Sequence, residues 1–233
     1  MAGATHALVV ADGDVDVSVL AELAADPRPP RLIAADGGAA RVLGAGLVPD
    51  VVVGDFDSLA DAERARLEAL GVELRVAPPD KDESDMELAL LAAIDAGAER
   101  VTILGALGLV RPEHSVANLL LLADPRLEGI DITLVGRGSR ISCSGSASGP
   151  GAAEVRGEPG DFVSLLPLAG MVEGVTTDGL RFPLADETLV VGPARGLSNE
   201  LVAPTAHVIS RRGCLLVIHT SRSMADVPPR GDL

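Results

Sequence analysis

The chain has 233 residues, of which 47% are hydrophobic, with 34 acidic against 19 basic side chains and a formal net charge of −15. That acidity argues against nucleic acid or an anionic membrane surface as a partner, since both repel a strongly negative protein. With three Phe and neither Trp nor Tyr, the core must be built from Ala, Val and Leu, and aromatic stacking on a ligand is nearly unavailable.

Taken in chain order, the first half alternates two kinds of segment. Short apolar runs at 7–10, 31–35, 51–53, 72–76 and 101–104 predict strands. Helical patterns fill the gaps at 15–25, 39–45, 59–70 and 85–96. The punctuation agrees. Ser84 is a good N-cap, Glu87 three residues on suits a capping box, and Met86, Leu90, Ala93 and Ile94 recur at helical spacing before Gly97 stops the helix. Such alternation predicts a parallel sheet with helices on its faces. After about Pro125, Gly, Ser and Pro rise and helical patterns vanish. Runs at 130–135, 140–143, 162–166, 188–191 and 215–219 read as strands of an antiparallel sandwich or barrel. Residues 144–151 read as a flexible loop, and the proline-bearing tail as disordered. The expected organisation is an α/β domain over 1–125, a smaller all-β domain over 126–223, and a tail over 224–233. Cys143 and Cys214 lie far apart, without metal-ligand spacing, and read as buried thiols. No signal peptide or run of about 18 apolar residues is visible, so the expectation is a cytoplasmic protein with no membrane span.

Gly54-Asp55-Phe56-Asp57-Ser58 follows directly on the run Val51-Val52-Val53. It places two carboxylates at the carboxyl end of a strand, where open α/β sheets bind ligands. Two close carboxylates repel unless a cation lies between them, and oxygen-only ligands suit a hard cation such as Mg²⁺ with its phosphates. A solvated turn is the plain alternative. Asp36 follows the second strand, and Asp82 and Asp85 follow the fourth. Carboxyl ends of parallel strands share one sheet edge, so these acids are expected to converge. Gly37 and Gly38 open a helix, where backbone N–H groups approach a phosphate.

Asp36-Gly37-Gly38-Ala39, Pro49-Asp50, Gly54-Asp55-Phe56-Asp57-Ser58, Ser84-Asp85, Arg111-Pro112-Glu113-His114, Asn118 and Gly196-Leu197-Ser198-Asn199-Glu200 occur in an order that resembles the thiamine pyrophosphokinase family. The resemblance spans about 36–218. It implies a Rossmann-like domain followed by a β-rich vitamin-binding domain, a homodimer, and transfer of a diphosphoryl group from ATP to thiamine. It further implies Mg²⁺ on Asp55, Asp57 and Asp85, with Arg111 on the phosphates. Asp36, Gly37, Gly38, Asp82, Ser84, His114 and Asn118 would serve the nucleotide, and Ser198 and Asn199 the vitamin. The chain departs from the family pattern at 105–114, where the second Gly is replaced, the loop is one residue longer, and Glu113 stands for Asp. The rival readings are a pyrophosphokinase for a pterin alcohol, a phosphatase using Asp55-x-Asp57, and a non-catalytic nucleotide- or vitamin-binding regulator.

Overall fold

The computed structural model describes residues 5–56, 59, 61–108, 111–146 and 148–225. Two compact units emerge from it: 1–121 with 129–137, and 122–128 with 138–233.

The first unit alternates strand and helix through β1 (His6–Val10), α1 (Val17–Ala24), β2 (Arg31–Ala35), α2 (Gly38–Gly44), β3 (Val51–Gly54), α3 (Asp61–Ala69), β4 (Glu73–Val76), α4 (Asp85–Asp95), β5 (Arg100–Leu104), α5 (Pro112–Leu121) and β6 (Asp131–Gly136). Its strands pair in parallel in the order β6-β5-β1-β2-β3-β4. Buried on both faces, the central strands read as continuous apolar runs, as parallel sheets require. Leu8, Val10, Leu32, Ala34 and Val52 share one core with Leu20 of α1, Ala39 and Val42 of α2 and Leu67 of α3. Helix α4 packs on β1, β2 and β3 and buries Met86, Ala89, Leu90 and Ala93, its apolar side recurring at helical spacing. The chain order reverses between β1 and β5, and the carboxyl ends flanking such a reversal form the crevice where doubly wound folds place ligands.

Composition shifts near Pro125, but the sixth strand still belongs to the parallel sheet: β6 runs in register with β5 from Arg100↔Asp131 to Leu104↔Val135. Helix α5, absent from the sequence-based elements, begins at Pro112, whose fixed φ suits a first helical position.

The second unit holds β7 (Ser139–Ser144), β8 (Gly151–Arg156), β9 (Phe162–Pro167), β10 (Met171–Asp178), β11 (Glu187–Val190), β12 (Asn199–Glu200), β13 (Thr205–Ser210), β14 (Leu215–Thr220) and the short α6 (Arg222–Ala225). Antiparallel pairing gives two orders, β12-β9-β14-β7 and β11-β10-β13-β8. Val163, Leu165, Leu215 and Val217 from the first share a core with Val155, Val172, Val175, Leu189, Ala206 and Val208 from the second, which makes this unit a β-sandwich. Strands β8, β10 and β13 escape a hydrophobicity reading because small and polar residues interrupt their apolar positions, and their antiparallel partners define them. The expectation of free thiols is corrected here. Cys143 and Cys214 are disulfide-bonded, with Cα atoms 6.2 Å apart. Strands β7 and β14 are antiparallel neighbours with Leu216 opposite Cys143, and a sequence separation of 71 says nothing about such a pairing. The tail expected over 224–233 is helical at its start in α6, and the remainder lies outside the described residues.

Candidate active site: an acidic cluster at the carboxyl edge of the parallel sheet

Two strand ends and the start of a helix deliver one carboxylate each. Asp36 follows β2 with φ 42°, its N–H donated to Val53 O at 2.8 Å. Asp55 follows β3. Asp85 is the first residue of α4, where a carboxylate also suits the helix dipole. Carboxylate oxygens of Asp36, Asp55 and Asp85 all lie within 4.8 Å of one another. Gly54 permits this approach, since a Cβ there would stand 3.0 Å from Asp36 Cβ.

Lys81 enters the same cluster. Its side chain is only 11% exposed, and Nζ lies 2.9 Å from Asp85 Oδ1 and 4.0 Å from Asp55 Oδ2. Burial alone would lower the pKa of this ammonium. The hydrogen bond to Asp85 and the charges of Asp85, Asp55 and Asp36 outweigh it and raise the pKa instead. Three carboxylates against one ammonium leave an excess of negative charge. An all-oxygen donor set of that charge and spacing fits a hard divalent cation.

The remaining sequence-derived residues are placed as follows. Asp57 and Ser58 lie outside the described residues. Gly37 and Gly38 begin α2, and close packing accounts for both: a Cβ on Gly38 would meet Val10 O at 2.0 Å, and one on Gly37 would meet Asp12 Cγ at 2.9 Å. Asp82 is exposed in the loop before α4. Ser84 caps α4, its Oγ accepting from Glu87 N at 3.2 Å. Asp50 pins register at the other end of the sheet, accepting from Leu32 N at 2.7 Å.

Arg111 and Glu113 are both exposed and pair with each other, Nε to Oε1 at 2.6 Å. The Glu113 carboxyl lies below its ordinary pKa, first through its own backbone N–H and then through Arg111. Among the described residues, neither forms an ion pair with the acidic cluster. His114 is exposed one residue on. Asn118 is buried, and its Nδ2 donates to Ala106 O at 2.9 Å, so it ties the loop after β5 to α5. That loop also meets the end of β1, where Gly13 N donates to Gly105 O and Asp14 N to Leu107 O.

In the second unit Ser198 is exposed with φ 57°, its N–H donated to Ser164 Oγ. Asn199 is buried. Its Oδ1 accepts from Phe182 N at 3.0 Å and its Nδ2 donates to Phe182 O at 2.7 Å. The amide therefore grips the backbone of Phe182, whose ring is 56% exposed and lies 5.5 Å from the Arg181 guanidinium.

By sequence alone Lys81 is either a charge for phosphate or a plain surface lysine; the structure places it among the acids, and Phe182 carries no sequence signal. Asp12 stands just beyond β1 and pairs with Arg41 at 3.1 Å.

Two family models match this chain. One is described as thiamin pyrophosphokinase, catalytic domain, and matches residues 28–134; the other is its vitamin B1 binding domain, matching 153–215. The chain belongs to the thiamine pyrophosphokinase family. Thiamine pyrophosphokinase of Bacillus subtilis (strain 168) is 28% identical over 190 residues, covering 81% of this chain and 86% of the relative. The crystal structure of a Bacillus subtilis thiamine pyrophosphokinase superposes with a TM-score of 0.81 at 26% identity, covering 94% of this chain and all of that one. A thiamin pyrophosphokinase family protein from Enterococcus faecalis gives 0.76 at 29% identity, covering 93% and 99%. The family's catalytic model covers all three clustered acids, and its vitamin-binding model covers Asn199 and Phe182.

Proposed function

We propose that this chain is an ATP:thiamine diphosphotransferase. The thiamine hydroxyl oxygen attacks the β-phosphorus of ATP, the bond from that phosphorus to the α,β-bridging oxygen breaks, and AMP leaves with the bridging oxygen while the hydroxyl proton is released. The observation that carries the reading is the convergence of Asp36 and Asp55, beyond two strand ends, with Asp85 at the start of α4, in a chain matched by both family models. Phosphoryl chemistry depends on positioning and charge neutralisation more than on covalent help from the protein.

Asp36, Asp55 and Asp85 would hold Mg²⁺, with Asp57 as the further acid of the motif; bound there, the ion supplies charge neutralisation at the phosphate oxygens. Lys81 holds the acids together before substrate arrives and adds a point charge toward the phosphates. Arg111, at the mouth of the loop after β5, exchanges its contact with Glu113 for a phosphate, which its planar fork fits in bidentate fashion. In the second unit, Asn199 acts through the backbone of Phe182, whose exposed ring offers thiamine an apolar face. The reading includes the homodimer that the family resemblance implies and the cytoplasmic location expected from the sequence.

A single-turnover experiment with MgATP and thiamine tests the reading. AMP and thiamine diphosphate are expected in equal amounts. ADP as the nucleotide product, or turnover of a hydroxymethylpterin in place of thiamine, would overturn it.

A further inference from the structure

A second polar cavity lies in the first unit at the opposite edge of the parallel sheet. It encloses about 710 Å³, within the range of small-molecule sites. His6, Arg31 and Arg100 line it, and they are the first residues of β1, β2 and β5. The acidic cluster sits beyond the last residues of β2 and β3, about 13 Å away along a five-residue strand. Arg28, in the connection from α1 to β2, adds a third guanidinium. Three arginines and two aspartates, Asp26 and Asp50, line the cavity, so guanidiniums outnumber carboxylates there in a chain with 19 basic residues against 34 acidic ones.

The acids beside them are engaged elsewhere. Asp26 Oδ1 accepts from Arg28 N at 2.8 Å, and Asp50 Oδ2 accepts from Leu32 N at 2.7 Å. Both carboxylates keep their charge but accept from main-chain N–H groups, and neither forms an ion pair with the guanidiniums among the described residues. Arg31 shares its charge with the exposed Glu73 at 3.2 Å. Among the described residues, Arg28 and Arg100 have no side-chain ion pair. Asp131 also faces His6 through space. The imidazole is turned to Thr102 Oγ1 at 3.0 Å, and its pKa is lowered, by burial first and then by Arg100, so at neutral pH it adds a polar wall without charge. Apart from Thr5, the rest of the lining is apolar, including Ala24, Leu47 and Val48.

The geometry points to a binding site for a small phosphorylated molecule in this cavity, distinct from the acidic cluster, with its phosphates on Arg28, Arg31 and Arg100 and its organic part against the apolar wall. Guanidinium forks match phosphate oxygens in pairs, and a site on the same sheet as the acidic cluster is placed to act as an effector site. Guanidiniums can hold phosphate oxygens there without a metal. The acidic cluster, by contrast, repels phosphate unless a cation is present.

That contrast supplies the test. The chain contains no Trp or Tyr, so Val48→Trp, at a position 47% exposed on the cavity rim, installs a single fluorescent reporter. Inorganic diphosphate and AMP are titrated in EDTA, which disables the Mg²⁺-dependent site. A saturable change with either probe is expected, retained when Asp55→Asn is added and weakened about tenfold or more by Arg28→Gln with Arg100→Gln, since two charge-assisted forks are lost. Response to AMP alone would assign the apolar wall to an organic moiety; response to both would assign the site to the phosphates. No saturable response at millimolar probe, loss of it in Asp55→Asn, or undiminished binding in the double arginine variant would overturn the proposal. Far-UV circular dichroism confirms that each variant is folded, and the substituted arginines are exposed.

Discussion

Lys81 holds its ammonium 2.9 Å from Asp85 and 4.0 Å from Asp55, so this one side chain decides whether three acids can stand together before a cation binds. Lys81→Gln is expected to cost about 2 kcal/mol of stability in EDTA, because a partly buried carboxylate loses its partner. Mg²⁺ should restore more stability to the variant than to the parent, read as the shift in melting temperature. The sign of the pH dependence follows from the raised Lys81 pKa. The contribution is fully present below the ordinary lysine value and is lost only as pH rises through the higher folded value. The stability gap between parent and Lys81→Gln should thus be flat from about pH 6 to 9. Asp55→Asn and Asp85→Asn are each expected to lower kcat about 10²–10³-fold with the fold intact; an unchanged kcat at saturating Mg²⁺ would remove them from the chemistry. Arg111→Ala should lower kcat/KM by a comparable factor, whereas Glu113→Ala, which only frees the arginine, should change it little. Phe182→Ala should raise KM for thiamine while leaving KM for ATP in place.

At the scale of elements, α6 is held to the second unit by a buried acid. Asp161 Oδ1 accepts from Arg222 N, and Oδ2 meets His219 Nε2, both at 2.9 Å. Arg222 also reaches Glu200 at 3.1 Å and stacks 4.6 Å from the Phe162 ring. Burial would raise the Asp161 pKa, but the backbone N–H groups of Arg222 and Glu158, with His219, lower it on balance. A lowered carboxylate pKa stabilises the fold above the unfolded value, and the gain is lost as pH falls through the folded one. Asp161→Asn should therefore be less stable than the parent at neutral pH, with the gap closing below about pH 3.8, as followed by urea unfolding at each pH. The bridge between β7 and β14 makes a second element-scale prediction. Protein purified without reductant should show no free thiol on denaturation, and Cys143→Ser should then release one. Two titratable thiols in the parent would mean that the strands meet without a covalent tie, as a reducing compartment favours.

For the molecule as a whole, the division into units depends on where β6 belongs. A fragment ending at 125 would lack β6 and its buried Leu134 and Val135, leaving β5 as an edge strand paired only with β1. Exposed edges of that kind favour aggregation. The fragment 1–137 is expected to unfold cooperatively in denaturant, and 1–125 to aggregate or to unfold without a sharp transition. The homodimer expected from the family is checked by light scattering of the intact chain.

Much of the first unit was legible in the linear pattern, because a strand buried on both faces must be continuously apolar and a helix between strands must carry a 3.6-residue stripe. The convergence of Asp36, Asp55 and Asp85 was legible for the same reason: parallel strands put their carboxyl ends on one edge whatever the sequence distance. The second unit was less legible. Strands such as β8 and β13 are short and half-polar, and are stabilised by cross-strand partners that no local window contains. What only the tertiary structure decided is pairwise and non-local. It turned Lys81 from a surface charge into the partner of two acids, bonded Cys143 to Cys214 across neighbouring strands, and assigned the amide of Asn199 to the backbone of Phe182. Each depends on a distance between residues, and a sequence carries distances only where regular secondary structure sets them.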